Sequence, residues 1–437
     1  MAGKDVKKRR PVLEPYTRGA ARESADPAPH VPVDDSGMPR SVVSRRAADR
    51  LRAGHVWVYR SDLISVPDDA PNLLAITDKR GIPLGTALYS PTSEIALRLI
   101  STELLATEAE WLDLLAVRVR KSVAERNAIL SSGDADSCRL IFSEADELPG
   151  VIADKYGELI ILQLLTRALD NEAVRIVVTN ALREMLDPAT IIERPDPRIR
   201  ELEQLSTAPD AAPLYSRGEP ILSTLFRING LRFHFDATAG QKTGAFLDQR
   251  ENYAAAARYA QGEALDVCTY QGGFALHLAK SCQRVTGIDV SRAALEVAEQ
   301  NLAANREALN GSDVDWIEAN AFDLLRDWSD SGSVYDTIVL DPPAFAKSKR
   351  AVEGALRGYK ELNLRALKML RPGGILVTCS CSHHISLADF TAVVASAAGD
   401  ARRRVRLVER RGAAADHPVV LTIPETEYLK CLICRAE

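Results

Sequence analysis

From residue 264 onward the chain repeats one unit: an apolar strand, a turn, an amphipathic helix and another apolar strand. Ala264 to Cys268 reads as a strand, Phe274 to Ser281 as a helix, Arg284 to Ile288 as a strand leading into Asp289, and Ser291 to Ala304 as a helix. Parallel strands need a long crossover between them, so this order predicts a doubly wound, Rossmann-like α/β sheet. Strands at Asp315 to Glu318, Asp336 to Leu340 and Ile375 to Cys379 continue it, with helical Leu364 to Leu370 and the turn Pro372-Gly-Gly374 before the last. The final residues are read as an antiparallel strand pair.

In open sheets of this kind ligands bind beyond the carboxyl ends of the strands. The first such end is Asp266-Val-Cys-Thr-Tyr270-Gln-Gly-Gly-Phe274, where Gly272 and Gly273 let backbone approach a ligand. The spacing is not the G-x-G-x-x-G of a dinucleotide phosphate loop. Asp289, about 20 residues on, suits the hydroxyls of a ribose, and Asn320, after the third strand, suits an adenine edge. The fourth strand runs into Asp341-Pro-Pro-Ala-Phe345. Singly, a Gly-Gly loop only turns and a strand-ending carboxylate only caps a helix. In this order they point to an adenosine ligand without a pyrophosphate.

The chain has 437 residues, which at roughly 100 to 200 per domain predicts two to four domains. Residues 1–37, with basic Lys7 to Arg10 and no apolar period, are read as a disordered tail. Residues 38–105 carry short strands (His55 to Tyr59, Leu73 to Thr77, Pro83 to Tyr89, Ile95 to Ile100) and form a small β-rich unit. Residues 106–215 form an α+β unit with helices at Glu108 to Asn127 and Glu172 to Leu186, and the polar stretch Arg194 to Pro220 reads as its boundary. Residues 216–437 hold the α/β sheet. Seven scattered cysteines are unlike a secreted disulfide framework, and no apolar run reaches the roughly 18 to 20 residues of a membrane span. A cytoplasmic protein with free thiols and no membrane partner is expected. A net charge of -5 gives no global pull toward nucleic acid.

Several segments together resemble the bacterial large-subunit ribosomal RNA methyltransferase I group. They are Gly240 to Arg250, Tyr270-Gln-Gly-Gly-Phe274, Asp341 to Phe345, Gly358-Tyr-Lys360, Ser380-Cys-Ser382, Ala415-Asp-His-Pro418 and Tyr428-Leu-Lys430, and the resemblance extends upstream through Arg139-Leu-Ile and Leu148-Pro-Gly150 to His55-Val-Trp-Val. The resemblance implies a PUA-type RNA-binding domain, a linking α+β domain and a class I S-adenosylmethionine-dependent methyltransferase domain making 5-methylcytosine in 23S rRNA. Cytosine carbon 5 is a poor nucleophile until a thiolate adds to carbon 6. The resemblance gives that thiol to Cys381, with Cys379 the runner-up. Asp341 would hold the cytosine edge, Pro342 and Pro343 would stiffen the loop, and Phe345 would stack on the base. Asp266, Tyr270, Gly272, Gly273, Asp289, Asn320 and Asp341 would line the cofactor site, and Lys242, Gln249 and Arg250 would close over its methionine end. The base that resolves the adduct stays open among water, a substrate phosphate, Asp341 and Lys347.

Two other readings compete: methylation of a base nitrogen, which needs no cysteine, and a low-turnover RNA-binding ribosome assembly factor. RNA contact is expected through Arg45, Arg46, Arg50 and Arg52, with Trp57 read as core. Cys431-x-x-Cys434 lacks a second ligand pair and reads as alternating strand burial, so no metal is expected. His383, His384 and His417 are given no chemical role. A homodimer stays open.

Overall fold

The computed structural model describes residues 38–206, 212–238, 245–346 and 348–437. The tail at 1–37, Lys242 and Lys347 lie outside the described residues.

The first sheet has six strands in the order Trp57–Tyr59, Ile95–Ser101, Pro83–Tyr89, Leu73–Thr77, Arg40–Val43, Leu63–Ser65. Leu74, Ile76, Ala87 and Leu97 form its core with Ala47, Ala48 and Leu51 of the helix Arg45–Arg52. Ser44 caps that helix by accepting from the Ala47 amide. Arg46 and Arg50 converge on the buried carboxylate of Asp62, and Arg52 binds Asp78. The arginines expected to wait for RNA are therefore, Arg45 apart, engaged in holding turns of their own sheet. Trp57 is half-buried and donates its indole N–H to Glu144, rather than lying in the core.

The second sheet runs Ala212–Ser216, Thr190–Glu193, Leu159–Leu164, Val151–Tyr156, Ser137–Phe142. Helices Glu108–Glu125 and Glu172–Leu186 cover one face, burying Trp111, Leu115, Val119, Val178 and Leu182 against Leu140, Ile160 and Leu162. Of the segment read as a boundary, Arg194 to Pro220, the described residues instead contribute a helix and a strand to this unit. Asp196 caps a helix at Pro197–Leu202, and Ala212–Ser216 is an edge strand antiparallel to Thr190–Glu193. An edge position tolerates Pro213, which hid the strand from a pattern reading.

A hairpin follows, Ser223–Ile228 and Leu231–Asp236, turning at Asn229-Gly230 with φ of +50° and +80°. Its Phe226, Phe233 and Phe235 share one apolar core with Tyr156, Leu159 and Ile161 of the second sheet and with Val377, Cys379 and Ile433 of the third.

The third sheet has seven strands: Asp313–Glu318, Arg284–Asp289, Glu263–Val267, Tyr335–Leu340, Leu370–Ser380, Lys430–Ala436, Val405–Arg411. The first five are mutually parallel, Lys430–Ala436 runs antiparallel to them, and Val405–Arg411 pairs antiparallel with Lys430–Ala436, so an antiparallel strand pair closes the doubly wound sheet as expected. Helices Arg250–Tyr259, Gly273–Leu278 and Arg292–Asn305 lie on one face, and Ala321–Ser331, Val352–Met369 and Leu387–Asp400 on the other. The chain order reverses between Glu263–Val267 and Tyr335–Leu340, opening a crevice at their carboxyl ends. Cys431 and Cys434 face opposite sides of the sheet and cannot share a metal.

Candidate functional site

At one side of the crevice Asp266 is fully buried, its Oδ2 accepting from Thr269 Oγ1 at 2.6 Å and the Ala275 amide at 2.8 Å. Its Oδ1 has no partner among the described residues. Burial, with Asp289 nearby, pushes this carboxyl up to about 7. Gly272 has φ +84°, and a Cβ there would sit 2.8 Å from the Trp316 ring. The loop thus packs on the Trp316 ring at a point that only glycine can occupy. Asp289 accepts from the Tyr270 and Ser291 amides, both at 2.9 Å, one on each oxygen, which leaves lone pairs directed outward for a diol. Val290 beside it is 66% exposed, an apolar surface for a purine face. Asn320 caps the next helix with its Oδ1, accepting from the Phe322 and Asp323 amides. That carbonyl is therefore already used, and the amide N–H groups remain for an adenine edge. An orphaned buried acceptor, a loop with no room for a Cβ, a diol-binding carboxylate and an exposed apolar residue together fit S-adenosylmethionine.

Across the crevice, Asp341 is pushed up to about 8 by burial, by Asp248 and by Asp266, against a hydrogen bond from Gln249 Nε2 at 2.9 Å. Gln249 is buried and its Oε1 accepts from Asn252, so its amide is orientated to hold Asp341 rather than to reach a ligand end. Arg250 is buried too, donating to the Ser137 carbonyl and paired with Asp416 at 2.9 Å. Pro342 is buried and Pro343 exposed. The Phe345 ring packs on Tyr359 at 4.7 Å and lies against Gly358, where a Cβ would meet it at 3.3 Å.

The strand Leu370–Ser380 ends one residue before Cys381. Cys379 is fully buried against Cys431, and desolvation drives its thiol well above the ordinary range. Cys381 keeps partial exposure. Its two serine neighbours are fixed: Ser380 Oγ donates to the Tyr359 hydroxyl at 3.0 Å, Ser382 Oγ lies 3.0 Å from the same hydroxyl, and the Ala346 amide donates to Ser382 Oγ. Lys430 donates its buried ammonium to the Ser382 carbonyl at 2.7 Å and the Tyr428 carbonyl at 2.8 Å. Desolvation lowers that ammonium and the Cys381 charge opposes the effect, so the two groups feel each other. Tyr428 donates its hydroxyl to Asp248 and stacks obliquely on exposed His383.

Tyr359, Lys430 and Asp248 received no role from the sequence. All three lie inside segments that carried the family resemblance, and that was the only signal for them. His417 pairs with Asp416 beneath the site and packs on Phe142.

The chain matches the S-adenosylmethionine-dependent methyltransferase family over residues 162–435 and a PUA-like domain over residues 42–102. It is 35% identical over 405 residues to ribosomal RNA large subunit methyltransferase I of Klebsiella pneumoniae, covering 92% of this chain and 99% of that one. The enzyme of the same name from Shewanella denitrificans is 37% identical, covering 88% and 96%. Among solved structures, a SAM-dependent methyltransferase from Streptococcus mutans superposes with a TM-score of 0.77 at 20% identity, over 91% of this chain and 100% of that one. A methyltransferase solved with SAH bound gives the same values. The chain therefore belongs to the ribosomal RNA large subunit methyltransferase I family, a PUA-like domain joined to an S-adenosylmethionine-dependent methyltransferase.

Proposed function

We propose that this chain methylates carbon 5 of a cytosine in large-subunit ribosomal RNA, with Cys381 as the nucleophile. The observation that carries this reading is the setting of Cys381: just past a strand end, partly exposed, between two pinned serines and beside the buried Lys430 ammonium. A nearby cation favours the thiolate, the reactive form. Cys379 has neither the exposure nor the cation.

Cytosine presents an acceptor at N3 beside a donor at its exocyclic amine. A carboxyl pushed up to about 8 is mostly protonated at neutral pH, so Asp341 can donate to N3 through one oxygen and accept from the amine through the other. The Cys381 sulfur bonds to carbon 6, the ring electrons move toward N3, and N3 takes the Asp341 proton. Bound S-adenosylmethionine supplies the methyl group that carbon 5 then accepts. Loss of the carbon 5 proton to a base forms the carbon 5–carbon 6 double bond and expels the Cys381 thiolate, and N3 returns its proton to Asp341. Gln249 keeps Asp341 aimed, and the Tyr359 hydroxyl holds the serine hydroxyls on both sides of Cys381.

The test is mass spectrometry of nucleosides from 23S rRNA incubated with S-adenosylmethionine and either wild type or Cys381→Ala. New 5-methylcytidine that disappears in the variant is expected. A variant that keeps its activity and yields a nitrogen-methylated base overturns the reading.

A further inference from the structure

We propose that the turn from Val420 to Ile423 is an RNA wedge, whose Leu421 enters the base stack and fills the gap left when the target base swings out toward Cys381. This rests on the reading of the chain as an RNA base methyltransferase.

Leu421 is 94% exposed, the highest value among the exposed large hydrophobics, and Val419 beside it is 46% exposed. A single apolar side chain in water is unremarked on most surfaces. This one is held out by a rigid frame. The Ile423 amide donates to the Val420 carbonyl at 2.8 Å, closing the turn. Thr426, itself buried, accepts from the Val420 amide at 2.9 Å and donates its hydroxyl to the Ile423 carbonyl at 2.7 Å. Ile423 is buried as the anchor. The turn is hydrogen-bonded on both sides, so Leu421 does not fold back onto the protein.

Its location supplies the second argument. Thr422 packs on Gly54, and Glu425 pairs with His55 at 3.1 Å, so the turn is docked on the PUA-like sheet just past the helix Arg45–Arg52. That helix presents Arg45, Arg46 and Arg52 with 92%, 71% and 40% of their side chains exposed, cations within reach of a phosphate backbone even while paired. On its other side the chain runs directly into Tyr428 and Lys430, which border Cys381. Leu421 and Tyr428 are seven positions apart, at most about 25 Å fully stretched, and the hydrogen-bonded turns shorten that span. An apolar tip between a cationic surface and the proposed nucleophile is the arrangement by which proteins unstack a nucleic acid and hold a base outside it.

The probe is the 23S rRNA segment in which wild type deposits its methyl group, with 2-aminopurine next to the target cytosine. It is made with the target paired and, separately, with an abasic site opposite it. Wild type is expected to raise 2-aminopurine fluorescence on the paired form. Leu421→Ala should lose that rise and drop kcat/KM more than tenfold on the paired form, but less than threefold on the abasic form, and Leu421→Met should restore both. Leu421→Ala matching wild type on the paired RNA overturns the wedge, and so does an equal loss on both forms, which marks a general docking role or a protein partner. In those cases wild type still methylates the RNA. A wild type that methylates no RNA overturns the underlying function as well.

Discussion

Replacing Asp416 by Asn tests whether one buried carboxylate fastens the second sheet to the catalytic domain. Asp416 Oδ1 pairs with Arg250 at 2.9 Å and lies 3.0 Å from His417 Nδ1, and its Oδ2 accepts from the Arg139 amide at 2.9 Å. Its side chain is 0% exposed, so solvent screening is minimal. Burial alone would raise this carboxyl. The hydrogen bond and charge of His417, then Arg250, then the Arg139 amide win, and hold it at about 2 against a usual 3.8. A folded value below the unfolded one adds stability that is fully present above about pH 4 and is lost as pH falls toward 2. The shift corresponds to about 2 kcal/mol at neutral pH, of which roughly half remains at pH 3. Removing the charge also strands Arg250, which brings the expected cost at pH 7 to about 3 to 5 kcal/mol. Urea midpoints of wild type and Asp416→Asn at pH 7, 5 and 3 measure this. The gap should be the same at pH 7 and 5 and narrower at pH 3. A gap below about 1 kcal/mol at pH 7, or one that does not narrow, refutes the argument.

Gly272→Ala places a methyl group 2.8 Å from the Trp316 ring at φ +84°, so calorimetry should show SAH affinity falling at least tenfold while thermal unfolding shifts by only a few degrees. Because the Asp341 carboxyl is raised to about 8, kcat/KM should fall as pH rises through that value, and Asp341→Asn should flatten this alkaline limb while slowing the reaction at least a hundredfold. Cys379→Ala removes a buried thiol paired with Cys431, so it should cost about 1 kcal/mol of stability and less than tenfold in methyl transfer, in contrast to Cys381→Ala.

The catalytic sheet was legible because its strands are buried on both faces and read as unbroken apolar runs between Gly- and Asp-bearing turns. Ala264, Arg284 and Asp336 each fell within a residue of a strand start. The hairpin has no counterpart among the expected elements although Asn229-Gly230 is a strong turn signal, because its strands alternate Arg, His and Thr with Phe. Of the site, the residues named by loop chemistry lie around one crevice. Gln249 and Arg250 do too, but facing protein partners: nothing local in a sequence tells a buried arginine bound to Asp416 from one waiting for a ligand. Lys430 and Tyr359 were opaque for the same reason, since their meaning comes from strands and helices that meet Cys381 only in three dimensions.

The core shared by the second and third sheets also governs how this protein is born. Arg139 finds its acceptor in Asp416, 277 residues downstream, and Tyr156, Leu159 and Ile161 are covered only once the hairpin and the last strand around Ile433 exist. At 5 to 20 residues per second a ribosome needs roughly 15 to 55 s to make that interval. For that time the nascent second sheet carries an uncovered apolar face, the kind of surface that leaves a growing chain prone to aggregate.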